Sequence, residues 1–248
     1  MSALRTIARK IDKSLLTRGA VGTMRFALTS LLGRLRDLTP GRRRSRAVTT
    51  ALDEAFDRRY GVDTADIIPL SELNVTTKNW IFGGLYQAVR PEFDFEQILR
   101  GLSLPYEESI FVDLGSGKGR AMLLASSVPF KKIVGVEFSA ELNRIAEDNL
   151  RRWPNEAQRC KEIALICMDA GEYQFPDEPL VLYMYNPFGG PVMEQVVRNV
   201  RAAYRRRPRR IVVVYYNPKH SALWDEVTFL KRVGTYPWGY VYDTGNTV

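Results

Sequence analysis

The sequence predicts an α/β protein: a doubly wound, mostly parallel seven-stranded sheet with a C-terminal antiparallel hairpin and a helical N-terminal extension. Three observations predict it. Apolar runs at 110–114, 132–136, 163–168, 180–185 and 211–216 alternate with helical patterns at 119–127, 140–152 and 191–205, the order that puts helices on both faces of a parallel sheet. After Trp224 the pattern becomes Val227-Thr228-Phe229-Leu230, a Pro237/Gly239 turn and Tyr240-Val241-Tyr242, which reads as a closing antiparallel hairpin. Before residue 50 the chain reads as basic amphipathic helix.

Residues 1–46 form the extension. Leu4, Ile7, Ala8, Ile11 and Leu15 recur at helical spacing among Arg5, Arg9 and Lys13, and Met24, Ala27, Leu28, Leu31 and Leu35 repeat the pattern. Pro40-Gly41 then reads as a break, and Arg42, Arg43, Arg44 and Arg46 as a basic linker. The first 50 residues hold twelve Lys/Arg against Asp12 and Asp37, a balance of +10. Of the whole chain's 36 basic and 28 acidic residues, 24 and 26 remain, so the body stands at −2. The net +8 therefore belongs to the extension and argues against a nucleic-acid-binding core. Basic amphipathic helices point to peripheral contact with an anionic membrane or an acidic partner, or to an arm packed on its own domain or a sister subunit. An Arg-rich, acid-poor start also fits an organelle transit peptide, ranked lower because nothing else points to cleavage.

Residues 47–248 form the main domain: a lead-in over 50–102, with helices around Ala51–Tyr60 and Phe95–Leu102 flanking an irregular stretch, then a core over 110–248. At 248 residues and 45% hydrophobic content there is enough apolar material for a full core. No uninterrupted apolar run is long enough for a membrane span, and no secretory leader is evident. Cys160 and Cys167 are the only cysteines; Cys167 lies in an apolar run and reads as a buried thiol, so a reduced, cytoplasmic setting is expected. One histidine and two cysteines leave no metal site to expect.

The most informative stretch is Phe111-Val112-Asp113-Leu114-Gly115-Ser116-Gly117-Lys118-Gly119-Arg120. A buried strand runs into glycines that permit a tight turn and close approach to a ligand, and a helix follows with its free N–H groups turned toward that ligand. A phosphate-binding loop is excluded, because Lys118 is followed by Gly119 rather than Ser or Thr. The dinucleotide pattern is excluded too, since the third glycine comes early and Arg120 takes its place. At the end of the second strand, Glu137 stands 18 residues beyond Gly119, placed for a bidentate grip on a ribose diol, with Phe138 set to lie on an adenine face.

With Cys167-Met168-Asp169-Ala170 and Tyr185-Asn186-Pro187-Phe188 following in order, the chain resembles a class I (seven-strand, Rossmann-like) S-adenosylmethionine-dependent methyltransferase over roughly residues 80–248. It shows some similarity to the seven-strand protein-lysine methyltransferases. The resemblance implies S-adenosyl-L-methionine as cofactor. Asp113, Ser116 and the glycines Gly115, Gly117 and Gly119 would surround its methionine moiety, Glu137 its ribose, and Phe138, Asp169 and Ala170 its adenine. Tyr86, preceded by Gly83-Gly84, stands where those enzymes carry a loop that closes over the cofactor. Asn186-Pro187-Phe188 is similar to the (Asn/Asp)-Pro-Pro-(Tyr/Phe) motif of amino-group methyltransferases, in which the Asn side chain and Pro carbonyl accept the target N–H bonds. The absent second proline argues against a flipped base. Tyr216-Asn217-Pro218 repeats the pattern one strand later, and Tyr185, Phe188, Trp238 and Tyr240 are candidates for an aromatic acceptor wall.

The function this implies is methyl transfer to an amine nitrogen, on a protein lysine or a small-molecule amine, with Asn186, Pro187 and Phe188 as the catalytic set. A small-molecule or lipid methyltransferase at a membrane surface, a non-catalytic cofactor-binding scaffold of the same fold and an NAD-dependent oxidoreductase are the competing readings. His220 is assigned no catalytic role. The run from Arg205 to Arg210 is expected to cap the preceding helix and face solvent.

Overall fold

The computed structural model describes residues 14–16, 19–22, 24, 39–69, 73, 85–89, 95–154, 156 and 158–245. In chain order its elements are α1 (Pro40–Tyr60), β1 (Ile67–Pro69), β2 (Leu85–Gln87), α2 (Glu96–Gly101), β3 (Ile110–Leu114), α3 (Arg120–Ala125), β4 (Lys132–Glu137), α4 (Ala140–Arg152), β5 (Ile163–Cys167), β6 (Leu180–Tyr185), α5 (Gly190–Arg206), β7 (Ile211–Tyr216), α6 (Ser221–Asp225), β8 (Lys231–Tyr236) and β9 (Gly239–Asp243). Strands β3 to β9 make one sheet in the order β5-β4-β3-β6-β7-β9-β8, parallel from β5 to β7 and antiparallel at β7-β9-β8.

Alternation along each strand divides the core in two. Val112 and Leu114, Leu182 and Met184, Val213 and Tyr215 face α5, where Met193, Val196, Val197 and Val200 follow helical spacing. Phe111, Ile133, Val181, Tyr183 and Val212 face α3, α2 and Phe56 of α1. By the same alternation Asp113 and Glu137 belong to the α3 face, on neighbouring strands.

The strand order sets the site. From β3 the chain moves outward to β4 and β5, then returns to place β6 on the other side of β3. The C-terminal ends of β3 and β6 therefore diverge into opposite connections, and the crevice between them is where open α/β sheets bind ligands.

Four sequence expectations are corrected. Pro40 does not end a helix: it opens α1, where its missing N–H costs nothing, and the 42–46 segment is helical rather than a linker. The first hairpin strand lies at 231–236, not 227–230. Val227 and Leu230 are buried plugs against the α5-side core, while β8 is an exposed edge strand with little apolar content. Cys167 is exposed because β5 is the other edge of the sheet; the buried thiol is Cys160. Arg209 is buried rather than solvent-facing, donating to the carbonyls of Ala203 (2.8 Å), Glu178 (3.0 Å), Arg207 and Pro176. Its bond to Ala203 does cap α5.

The lead-in stretch also contains an antiparallel pair, β1-β2, that periodicity did not reveal. Most of the extension lies outside the described residues; within it Leu15, Leu16, Val21 and Met24 are exposed. Among the described residues no helix is long and apolar enough to cross a membrane, and no cluster of His, Cys, Asp and Glu could hold a metal ion.

Candidate active site

Three glycines in left-handed conformation shape the turn after β3: Gly115 (φ 77°), Gly117 (φ 54°) and Gly119 (φ 87°). Two are also in contact with other elements. A Cβ on Gly115 would fall 2.4 Å from Pro187 Cβ, and one on Gly117 would fall 2.3 Å from the Tyr86 ring. The cradle is thus closed by Pro187 from the β6 end and by Tyr86 from β2. Gly119 instead lets α3 approach Ala146 of α4 and forms the N-cap of α3. The N–H groups of Gly115 (2.8 Å) and Ser116 (3.2 Å) bond Val136 O, which ties the turn to β4. Ser116 Oγ is buried with no hydrogen-bond partner among the described residues.

Two buried carboxylates face this turn. Glu137 accepts from Gly117 N through one oxygen and from Ser139 N through the other, both at 2.9 Å. Burial raises its pKa, and the amides of Ser139, Gly117 and Phe138 oppose that rise. Asp113 is 3% exposed, and no hydrogen-bond donor among the described residues reaches it. Burial, and then the charge of Glu137, push its pKa up to about 8. The cations of the turn lie elsewhere: Lys118 Nζ is 2.6 Å from Asp63, and Arg120 pairs with Asp53 and Asp57. A pocket that turns acids toward its ligand and cations away suits a cationic ligand and repels a pyrophosphate.

The next strand ends continue the crevice. Phe138 packs beside Tyr86 and Leu142. Asp169 is nearly buried and caps the turn Ala170–Glu172 by accepting from Gly171 N at 2.9 Å. Met168 N bonds Glu137 O at 3.1 Å, fixing this end of β5 against the end of β4.

At the β6 end Asn186 adopts φ 41°, a conformation an asparagine tolerates better than most residues. Its Oδ1 accepts from Tyr215 Oη at 3.4 Å, while that hydroxyl accepts from His220 N at 3.2 Å. At the preceding residue, Tyr185, opens a cleft of about 760 Å³, lined also by Thr49, Gln87, Ile98, Tyr216 and Trp238 among others, with no charged side chain among the described residues of its wall. Tyr185 meets Tyr216 edge-on at 4.4 Å, and Tyr216, Trp238 and Tyr236 stack in series at 5.5 and 4.7 Å.

The structure therefore gathers Tyr86, Asp113, Gly115, Ser116, Gly117, Glu137, Phe138, Asn186 and Pro187 around one crevice. Phe188 and Tyr240 pack toward the α5-side core, away from the cleft that Tyr185 and Trp238 line. His220 sits over Gly190 at the start of α5. Sequence reasoning did not find Thr64, Asp53, Asp57, Asp63 and Asn149, which reach the turn from far along the chain, nor Tyr215 behind Asn186; only the charges of Lys118 and Arg120 hinted at partners.

Residues 85–169 match the family model described as histone methylation protein DOT1. That segment holds Tyr86, the glycine turn, Glu137 and Asp169, inside a seven-stranded sheet with its antiparallel C-terminal hairpin. Over those residues the chain is similar to that family. Solved structures similar to this chain include a Listeria monocytogenes protein described as a predicted N6-adenine-specific DNA methylase, with 16% identity and a TM-score of 0.46, covering 63% of this chain and 51% of that one. Another is a SAM-dependent methyltransferase from Aquifex aeolicus, with 13% identity, TM-score 0.46 and coverage of 62% and 88%. A third is an RNA methyltransferase from Salinibacter ruber in complex with S-adenosyl-L-homocysteine, with 19% identity, TM-score 0.43 and coverage of 63% and 92%. The chain spans about half the length of the Listeria protein. No match is found among curated proteins.

The residues present fit the cofactor. Asp113, buried and with no hydrogen-bond donor to it among the described residues, suits the ammonium group of its methionine portion. Glu137 keeps one lone pair on each oxygen for a ribose diol, and the glycine turn leaves no Cβ in the way.

Proposed function

We propose that this protein transfers the methyl group of S-adenosylmethionine to an amine nitrogen, on a protein lysine or a small-molecule amine. The observation that carries this reading is the aromatic cleft at Tyr185, next to Asn186 in the chain, whose described lining residues carry no charge. A phosphate-bearing acceptor would find no cation among the described lining residues. An amine would lose water and be driven toward its neutral, nucleophilic form, while the ring faces hold its residual positive charge. The family model matched over 85–169 concerns the methylation of a histone, a protein acceptor, and supports the same direction.

When bound, the cofactor supplies an electrophilic methyl group, so the chain needs to align and desolvate rather than to provide a strong base. In this reading Asn186 Oδ1 and the Pro187 carbonyl accept the acceptor's N–H bonds and so direct its lone pair. Tyr215 holds the Asn186 amide from behind. Tyr185, Tyr216 and Trp238 exclude water from the cleft. The proton that the ammonium form must lose leaves before transfer, to solvent at the cleft mouth.

The test is incubation with methyl-labelled cofactor and separate acceptors: a lysine-rich protein, small primary amines, RNA, DNA and lipid vesicles. Label on an amine acceptor, reduced in Asn186→Ala, is expected. Label confined to nucleic acid or lipid would contradict the amine reading, and no transfer to any acceptor would favour a cofactor-binding scaffold. For the basic extension we propose peripheral contact with an anionic membrane, supported by the exposed Leu16, Val21 and Met24. Co-sedimentation with phosphatidylglycerol vesicles, lost on removal of residues 1–38, is the expected result; unchanged co-sedimentation would contradict it.

A further inference from the structure

Lys118 and Arg120 occupy the cofactor turn but serve a different part of the molecule. Arg120 is 2% exposed, its guanidinium over the Phe56 ring at 4.7 Å. It pairs with Asp53 and, at 3.4 Å, with Asp57, donates to Thr64 Oγ1 at 2.6 Å and reaches Val89 O at 3.3 Å. Asp57 in turn accepts from Thr64 Oγ1 (2.6 Å), Thr64 N (2.7 Å) and Ala65 N (2.6 Å). Lys118, also 2% exposed, bonds Asp63 at 2.6 Å and Ala65 O at 2.9 Å, with Asp66 at 3.5 Å. Asn149 locks the join: its amide donates to Asp63 O (2.7 Å) and Lys118 O (2.9 Å) and accepts from Asp63 N (2.7 Å).

The segment clamped in this way carries one polar attachment that matters to the cradle. Tyr86 Oη donates to Thr64 O at 2.5 Å, and its ring lies directly on Gly117, with Lys118 Nζ 5.7 Å from the ring centre. The wall that closes the cofactor turn is thus held by the same residue, Thr64, that Arg120 grips. Burying two cations is costly in desolvation, and neither is aimed at the ligand. Their partners are all on the lead-in segment 53–66 or its neighbours, so what the pairing fixes is the position of that segment relative to the glycine turn.

We propose that Lys118 and Arg120 are positioning residues of the cofactor site: they latch residues 53–66 to the turn and thereby set Tyr86 against Gly117. Cofactor binding and order in the lead-in segment are then coupled, although none of the latch side chains touches the ligand. This rests on the cofactor reading of the cradle.

The test uses the full chain with S-adenosylhomocysteine as probe. Lys118→Met leaves Asp63 and Asp66 on the exposed side, where water can solvate them. Tyr86→Phe keeps the ring and deletes only its bond to Thr64. Calorimetry well below the melting temperature should show binding weakened about tenfold in Lys118→Met and about threefold in Tyr86→Phe. Hydrogen exchange should show that the probe protects amides 63–66 and 85–89 in the parent but much less in Lys118→Met. Parental affinity in both variants, or a lowered melting temperature with unchanged affinity, would overturn the latch and leave a merely structural role. Should Lys118→Met fail to fold, Tyr86→Phe decides alone. A parent that does not bind the probe would instead overturn the cofactor reading.

Discussion

The two sides of the crevice prepare for their ligands by different means. On the β3–β4 side the main chain makes the site: Gly115 and Gly117 take left-handed conformations, Gly117 N–H is pinned by Glu137, and the turn is bonded back to Val136. On the β6–β7 side the strand ends carry asparagines, not glycines, in that conformation (Asn186 and Asn217), and the walls are side chains. Several of those walls, among them Thr49, Gln87 and Ile98, come from the lead-in elements far along the chain. The difference teaches that the proposed cofactor side rests mainly on the main chain of residues 110–139, closed by Tyr86 and Pro187, while the proposed acceptor cleft is assembled from side chains of segments that meet only in the folded protein. The first can stay constant while the second changes its acceptor.

Gly117→Ala should break the main-chain side most severely. The new Cβ meets the Tyr86 ring at 2.3 Å in a backbone conformation alanine avoids, a combined cost of about 3 kcal/mol. Denaturant melts should show that loss, and calorimetry should show no binding of S-adenosylhomocysteine.

A pH series sharpens the contrast next. With its pKa near 8, Asp113 carries a proton at neutral pH in the ligand-free protein. A bound ammonium favours the ionised form, so binding releases that proton. Affinity for S-adenosylhomocysteine should therefore rise with pH, by up to about tenfold per unit, and level off above pH 8. Titrations in buffers of differing ionisation enthalpy check the proton release. The sign for stability is opposite. The folded chain holds this proton between about pH 4 and 8 where an unfolded aspartate does not, so the ligand-free protein loses stability as pH rises through that window. Asp113→Asn should remove both slopes.

Trp238→Ala acts on the side-chain half alone. Removing the middle ring of the Tyr216–Trp238–Tyr236 stack should raise KM for an amine acceptor about fivefold, within the range of one cation–π contact, with cofactor affinity unchanged.

The same contrast explains what was legible in the sequence. Strands 110–114, 180–185 and 211–216 are readable to the residue because they are buried on both faces and, Asp113 apart, made of apolar and aromatic residues. Edge position defeated the same reasoning elsewhere. The exposed strand β8 has almost no hydrophobic pattern, so the pattern points instead to the adjoining buried Val227 and Leu230. Cys167 sits in an apolar run that borders solvent. The cofactor cradle was legible because glycine spacing and a strand-end acid report local backbone needs. The latch was not, since nothing local tells Arg120 that its partners are Asp53, Asp57 and Thr64. Pro40 misled for a related reason: proline marks helix starts as readily as helix ends.

One calorimetric comparison tests the division between the two halves most directly: S-adenosylhomocysteine titrated into the parent, Glu137→Ala and Asn186→Ala. Glu137→Ala should lose about tenfold to a hundredfold in affinity, the value of one or two hydrogen bonds to a charged group. Asn186→Ala should bind within about twofold of the parent, its loss confined to turnover. Equal loss of cofactor binding in both variants would contradict the account.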